Sequence, residues 1–309
     1  MLSQKLRSVN IYIDKADEMI YYLPVYFTTE VKMKRILTIQ DISCVGKCSL
    51  TVALPIISAM GVEAAVMPTA VLSTHTQFKG FTFRDLTDDM LPIAEHWKKE
   101  NIGFDAIYTG YLGSFRQLEI VGRIFDDFGT TENKIIVDPV MADGGKLYPG
   151  FTEEFTRSMA SLCAKADVIL PNLTEASFML GVPYVGDDYD EAYIKDMLKK
   201  LCALGAKTAA ITGVSLEKGR LGVMSLNSET GDYFYYDREH LPVAYHGTGD
   251  IFASAFTGAV ALGKGTEEAL KIAADYTVEC IALTLKDENR RTYGVNFEEA
   301  MPYLINRIK

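Results

Sequence analysis

Residues 36–67 read ILTIQDISCVGKCSLTVALPIISAMGVEAAVM, and this stretch decides the fold class. Ile36–Ile39 is a short apolar run typical of a buried strand, and Glu63–Met67 is a second run of the same kind. The pattern between them predicts a helix over Ser49–Met60, which Gly61 ends. A strand, a helix and a second strand in this order predict two parallel strands joined by a crossover helix.

The alternation of short apolar runs and helical segments continues along the chain. Further strands are predicted at Ala106–Tyr108, Ile135–Val137, Asp167–Leu170 and Thr208–Ile211. Helices are predicted at about 88–99, after Ser114, and at 152–163, 173–180, 190–204, 250–263, 266–285 and 297–308. Buried parallel strands are apolar over their whole length, as these runs are.

Two further runs, Leu221–Leu226 and Tyr233–Asp237, flank a turn-rich segment and predict an antiparallel hairpin at one edge of the sheet. The chain shows no repeat and no linker. We therefore predict an α/β fold with a mainly parallel central sheet, helices on both faces and an antiparallel edge hairpin, in a single domain over residues 33–309. Met33 directly precedes the first strand, so residues 1–32 are interpreted as an N-terminal extension or as the product of a misassigned start codon.

Composition narrows the possible partners. The chain has 309 residues, 48% of them hydrophobic, and a formal net charge of -10. Such an acidic protein is a poor candidate for binding nucleic acid or an anionic membrane, and no apolar run is long enough to span a bilayer. Its five cysteines are scattered and form no zinc motif, so we expect free thiols in the cytoplasm.

The segment Gly247-Thr248-Gly249-Asp250 precedes a helix of small residues. Glycines let a ligand approach the backbone, and a helix N-terminus directs free N–H groups and a positive dipole at an anion. Asp250 could serve only as a helix cap. It could also accept the proton of a substrate hydroxyl while the N–H groups stabilise a phosphoryl group.

Polar residues stand at the ends of successive predicted strands. In an open α/β sheet, ligands bind beyond the carboxyl ends of the strands. These residues should therefore converge, although each alone could be a cap or a turn residue: Asp41, Thr109, Asp138, Asn172 and Thr212. The P-loop, the protein-kinase motifs and the dinucleotide-binding Gly-x-Gly-x-x-Gly are all absent, so a phosphoryl-transfer site of another type is predicted.

Together these motifs resemble the pyridoxal kinases of the ribokinase-like superfamily. Gly247–Asp250 resembles the anion-hole motif of that superfamily. The segments that resemble pyridoxal kinases lie in the same order as in the family, between about Lys34 and Leu285: residues 36–41, 73–77, 109–114, 138–141 and 171–175. The resemblance implies ATP-dependent phosphorylation of the 5′-hydroxymethyl group of a B6 vitamer.

The resemblance also implies a role for individual residues. Asp250 would be the catalytic base, and the anion hole would be formed by Gly247, Thr248 and Gly249. ATP would be bound by Asp138, Asn172, Glu175 and Thr212, and the B6 pocket would be lined by Asp41, Thr76, Gln77 and Tyr111. Asp143 and Glu175 would help to hold Mg²⁺, directly or through water. The family further implies a homodimer and a monovalent cation, K⁺ or Na⁺.

One departure from the family concerns the acceptor. Familiar pyridoxal kinases have Gln-Ser-His after the first strand, where this chain has Gln40-Asp41-Ile42. Asp41 could pair with the ammonium group of pyridoxamine, or it could only cap the following loop.

Two alternatives to the kinase of B6 vitamers stay open at this point. A hydroxymethylpyrimidine kinase of thiamine synthesis shares the fold and phosphorylates a similar ring alcohol. That family usually has a glycine-rich loop after the first strand, whereas the loop here contains Gly46 alone. A B6-binding protein without catalysis is disfavoured because Asp250 and both glycines of its motif are present.

Overall fold

In the computed structural model, which describes residues 33–309, the strands form a large and a small sheet. The strands are β1 (Arg35–Ser43), β2 (Glu63–Leu72), β3 (Phe83–Asp85), β4 (Ala106–Thr109), β5 (Lys134–Val137), β6 (Ala142–Asp143), β7 (Lys146–Leu147), β8 (Val168–Ile169), β9 (Thr208–Val214), β10 (Arg220–Asn227) and β11 (Tyr233–Glu239). The helices are α1 (Leu50–Ala59), α2 (Thr87–Lys99), α3 (Phe115–Phe128), α4 (Glu153–Cys163), α5 (Leu173–Leu180), α6 (Glu191–Ala203), α7 (Thr248–Ala261), α8 (Thr266–Lys286) and α9 (Phe297–Arg307).

The large sheet has nine strands in the order β11-β10-β9-β8-β5-β4-β1-β2-β3. Its six central strands, from β9 to β2, are parallel, whereas β10 and β11 at one edge and β3 at the other are antiparallel to their neighbours. The predicted α/β fold, its mainly parallel sheet and its antiparallel hairpin are confirmed. The small sheet pairs β6 with β7.

Helices cover both faces of the large sheet, and an apolar cluster lies under each layer. Helices α2 to α6 pack on one face and α1, α7, α8 and α9 on the other. Alternate residues of each central strand enter opposite clusters, which is why these strands are apolar throughout. On β4, for example, Ile107 belongs to the first cluster and Tyr108 to the second.

Some short elements differ from the sequence predictions. Strands β3, β6 and β7 span only two or three residues and were not predicted. Strand β1 runs to Ser43, beyond the predicted end at Ile39, because it continues to pair with β2 past an irregularity in register at Gln40–Ile42. Asp41 lies at this irregularity and has no paired residue on β2.

Residues Lys34–Lys309 form one compact unit. The interpretation of residues 1–32 as an extension concerns residues outside the described region and stays a prediction. No helix within the described region is both long and apolar enough to cross a membrane.

Candidate active site

The Gly-Thr-Gly-Asp segment opens α7, as predicted. Gly247 is the N-cap and has a φ of 82°, in the left-handed region that favours glycine. A Cβ atom at this position would lie 1.8 Å from the carbonyl oxygen of Lys47, so only glycine allows the two backbones to approach. Gly247 has no side chain that could cap the helix. The hydroxyl of the next residue, Thr248, donates to the carbonyl of Tyr245 at 3.2 Å instead. The first N–H groups of α7 are therefore available to an anion.

Asp250 lies in the first turn of α7 and is partly buried. Burial raises its pKa to about 7, and the nearby Asp41 carboxylate adds to the rise, while a hydrogen bond from the backbone N–H of Ser49 opposes it. A carboxylate with a pKa near neutrality can accept a proton from a hydroxyl far better than an ordinary aspartate can. Asp250 therefore has the environment of a general base.

Asp41 lies beside Asp250 and is itself buried. Its Oδ2 accepts a hydrogen bond from the Ser43 hydroxyl at 3.1 Å, and burial raises its pKa. Burial also raises the pKa of the Tyr111 hydroxyl, and it raises the pKa of the Cys48 thiol to about 12; the charge of Asp41 contributes to both shifts. Asp41, Cys48, Tyr111 and Asp250 are therefore close enough to line one pocket.

Ser49 belongs to this pocket and was missed from the sequence. It is the N-cap of α1, with φ 52° and ψ -136°. Among residues 33–309, only Asn101 is another non-glycine residue with positive φ. Strained backbone of this kind persists where the surrounding structure enforces it, often at functional sites. Here the strained residue directs its N–H group at Asp250 and its hydroxyl at Asp41.

A second group of carboxylates lies at the ends of β5 and β8. Asn172 caps α5 by accepting from the N–H of Glu175 at 2.8 Å, and the Glu175 carboxylate accepts from the N–H of Asn172 at 2.9 Å. Glu175 also accepts from the N–H of Met141 at 3.1 Å, and the Asn172 amide donates to the carbonyl of Ala142. Both predicted ATP-binding residues therefore also hold the segment that follows β5 against α5.

The negative charges here act on one another. Burial raises the pKa of Asp138 well above its usual range, and Glu175 and Asp250 add to the rise. Burial likewise raises the pKa of Glu175 to about 8, with a small contribution from Asp143. A bound cation would relieve this repulsion.

The carboxylates at this edge fit a magnesium ion that is bound mainly by phosphate oxygens better than one that is bound by protein groups alone. Residues 33–309 contain no cluster of three or more metal-ligating side chains. Both oxygens of Glu175 already accept backbone N–H groups, and Asp143 is exposed and accepts from the N–H of Gly144. Mg²⁺ is usually held by one or two carboxylates together with waters and substrate phosphates, which matches this arrangement.

Three further residues were predicted to bind ATP or the substrate, namely Thr212, Thr76 and Gln77. Thr212 is half-buried on β9, and its N–H donates to the carbonyl of Pro171, so it stands beside Asn172. Thr76 and Gln77 are exposed. They follow His75, whose ring lies 5.8 Å from that of His246, the residue before Gly247. The segment that follows β2 therefore reaches the start of α7.

A helix N-terminus with free amides and a carboxylate of raised pKa, placed at the carboxyl edge of a parallel sheet, is the arrangement expected of a kinase that acts on the hydroxyl group of a small molecule. Residues 53–293 match the model of the phosphomethylpyrimidine kinase family. The chain belongs to this family, and within it to the pyridoxal kinases of the ribokinase-like superfamily.

Three relatives illustrate this relationship. A crystallised Bacteroides thetaiotaomicron protein assigned as a phosphomethylpyrimidine kinase is 40% identical, with a TM-score of 0.85 over 91% of this chain and 96% of its own. Pyridoxal kinase from Lactobacillus plantarum is 31% identical, with a TM-score of 0.81 over 89% and 98%. Pyridoxal kinase PdxY of Rubrobacter xylanophilus is 27% identical over 86% of this chain and 93% of its own.

The contact between Gly247 and Lys47 generates a prediction. In Gly247→Ala the new Cβ would collide with the Lys47 carbonyl and turn the first N–H groups of α7 away from the phosphoryl group. We expect kcat to fall about 100-fold or more, the range for loss of such donors. Steady-state kinetics with circular dichroism as a check of folding measures this.

The matched control is Gly265→Ala at the N-cap of α8, where a Cβ would meet open space. It should leave kcat unchanged. A Gly247→Ala variant with wild-type kcat would refute the close contact as a requirement of the site.

Proposed function

We propose that this protein is a pyridoxal kinase, which transfers the γ-phosphoryl group of ATP to the 5′-hydroxymethyl group of a B6 vitamer. The observation that carries the proposal is the position of Asp250, with a pKa of about 7, in the first turn of a helix whose N-terminal amides are free to bind an anion. The same Bacteroides relative has been crystallised with pyridoxal.

In the proposed reaction Asp250 takes the proton from the 5′-hydroxyl as that oxygen attacks the γ-phosphorus. The free N–H groups of Gly247, Thr248 and Gly249 stabilise the charge that develops on the transferring group. The bond to the β-phosphate oxygen breaks, and ADP leaves. The buried surroundings of Asp250 serve this step, because they keep its proton affinity high until the product departs.

The nucleotide is proposed to lie along the carboxyl edge from β5 to β9, beside Asp138, Asn172, Glu175 and Thr212. Mg²⁺, when bound, neutralises the phosphate charge. Asp138 and Asp143 would help to hold the ion, and Glu175 would do so through water because both of its oxygens accept backbone N–H groups. The raised pKa values of Asp138 and Glu175, caused by burial and by neighbouring carboxylates, support this assignment.

We propose three finer points. A homodimer and a requirement for K⁺ or Na⁺ rest on the family resemblance, and a cytoplasmic location rests on the scattered cysteines. Size-exclusion chromatography with light scattering addresses the first, and activity in K⁺, Na⁺ and tetramethylammonium salts addresses the second.

A hydroxymethylpyrimidine kinase is the second candidate, because a Bacillus subtilis relative that is 28% identical is named hydroxymethylpyrimidine/phosphomethylpyrimidine kinase. Both acceptors are ring-borne primary alcohols, so the same base and anion hole would serve either one. The choice between the two acceptors would therefore depend on the side chains that contact the ring, in the pocket beside Asp41 and Tyr111.

A substrate comparison tests the proposed function. Pyridoxal, pyridoxamine, pyridoxine and the hydroxymethylpyrimidine are each assayed with ATP and Mg²⁺, and the phosphorylated products are identified by mass spectrometry. We expect the highest kcat/KM with a B6 vitamer, and a loss of about 10²- to 10⁴-fold in kcat in Asp250→Asn, the usual contribution of a general base. Asp196→Asn on α6, which removes an exposed ion pair with Lys200, is the control and should match wild type.

A higher kcat/KM with the pyrimidine would establish the second candidate. Wild-type turnover in Asp250→Asn would refute the role of the base, and no turnover of any acceptor by the wild type would favour a non-catalytic B6-binding protein.

Asp41 carries a proposal about the preferred vitamer. The buried carboxylate of Asp41 would pair with the ammonium group of pyridoxamine. This pairing would favour the ionised form of Asp41. In Asp41→Ser we expect the ratio of kcat/KM for pyridoxamine to that for pyridoxal to fall about tenfold, the size of one charge-assisted hydrogen bond.

Asp41→Asn keeps the shape but not the charge, and it should lower the same ratio. If the ratio stays constant in both variants, Asp41 only caps its loop.

A further inference from the structure

Lys47 contacts the start of α7 with its backbone and the start of α9 with its side chain. It lies in the loop of residues 44–49, between β1 and α1. A Cβ atom on Gly247 would lie 1.8 Å from the carbonyl oxygen of Lys47 and 3.4 Å from the Cα of Cys48. The backbone of this loop therefore packs directly against the glycine that begins the proposed anion hole.

The side chain of Lys47 is held from its base to its tip by the segment that leads into α9. A Cβ atom on Gly294 would lie 2.5 Å from the Cβ of Lys47, so the first part of the side chain packs on that glycine. The ammonium group donates to Glu298 Oε2 at 2.8 Å and lies 3.4 Å from Asn296 Oδ1. It also lies 5.6 Å from the ring centroid of Phe297, within the range of a cation–π interaction. Only 16% of the Lys47 side chain is exposed.

The segment that receives this side chain is itself fixed to the body of the protein. The N–H group of Asn296 donates to the hydroxyl of Thr284 on α8 at 2.7 Å, and both residues are buried. The side-chain amide of Asn296 donates to Asp287 Oδ2 at 3.0 Å. Phe297 belongs to the apolar cluster that underlies α1, α7, α8 and α9. Lys47 is therefore bound to a well-packed part of the structure.

Lys47 lies between the attachments at the two ends of loop 44–49. At one end the N–H group of Cys44 donates to the carbonyl of Leu72 on β2 at 2.9 Å. At the other end the N–H group of Ser49 bonds Asp250. A displacement of the loop at Lys47 would therefore move both the surface that packs on α7 and the N–H group that bonds the base.

We propose that Lys47 is a positioning residue for phosphoryl transfer, because its ion pair with Glu298 anchors loop 44–49 against the start of α7. The start of α9 thereby becomes part of the structure that orients the anion hole. A displacement of about 1 Å in such a site can cost about 100-fold in rate, so an anchor of this kind matters for catalysis. The ammonium group is engaged by α9 and is assigned no contact with ATP. This inference rests on the proposed role of the anion hole.

Steady-state kinetics tests the positioning role. Lys47→Met keeps most of the length and packing of the side chain and removes its charge. We expect kcat to fall about tenfold while KM for ATP and for the vitamer stays within about twofold, because a displaced anion hole costs rate and not binding. Glu298→Ala should also lower kcat. The double variant should be no slower than Lys47→Met, since either change breaks the same pair.

The matched control is Lys98→Met, which removes an exposed ion pair with Asp127 on the opposite face of the sheet and should match wild type. A wild-type kcat in Lys47→Met would overturn the proposal, as would strictly additive losses in the double variant or an equal loss in Lys98→Met. A large rise in KM for ATP in Lys47→Met, without one in Glu298→Ala, would overturn it too, because Lys47 would then contact the nucleotide.

Hydrogen exchange measured by mass spectrometry tests the anchor without any substrate. In Lys47→Met, peptides that cover residues 44–49 should exchange about tenfold faster, whereas peptides from residues 269–276 of α8 should keep the wild-type rate, since only the loop opens. Faster exchange in both would mean a loss of global stability, and unchanged exchange in the loop would mean that the ion pair does not hold it. Either result overturns the proposal. If the wild type phosphorylates no B6 vitamer, the proposed function fails, while hydrogen exchange still decides whether Lys47 anchors the loop.

Discussion

The contact between the Lys47 carbonyl and Gly247 holds the two halves of the site together. It allows the loop after β1 to lie directly on the first turn of α7, which brings the Ser49 N–H group to Asp250. The side chain of Lys47 also attaches this loop to α9. Its ammonium group donates to the Glu298 carboxylate at 2.8 Å and lies 5.6 Å from the Phe297 ring centroid. The geometry of the base thus depends on a glycine and on the start of α9.

The electrostatics of the site follows from this packing. Burial raises the pKa of the carboxyl groups at this edge of the sheet, and neighbouring carboxylates add to the rise. A phosphate-bound cation or a transferred proton would relieve both effects. For Asp250 the raised pKa means that its contribution to stability is complete below its ordinary value of 3.8 and is lost as pH rises through about 7. Keeping Asp250 ionised at neutral pH, as a base must be, therefore lowers the free energy of unfolding of the free protein.

Much of this architecture could be read from the sequence, because apolar runs with polar ends mark parallel strands and their ligand edge. Asp138 follows β5 and Asn172 follows β8, as that pattern predicts, whereas Thr212 lies within β9, which runs to Val214 instead of ending at Ile211. Ser49 could not be found in this way, since its positive φ is imposed by tertiary contacts and serine carries no signal for it. The placement of Thr76 and Gln77 around a substrate stays a prediction.

The central claim is that Asp250 is a base whose pKa is raised by burial behind the Gly247 contact. It is tested most directly by ¹³C NMR of carboxyl-labelled aspartate, with Asp250 assigned by the resonance that disappears in Asp250→Asn. This resonance is expected to titrate near pH 7. A titration midpoint near the ordinary value of 3.8 would contradict it.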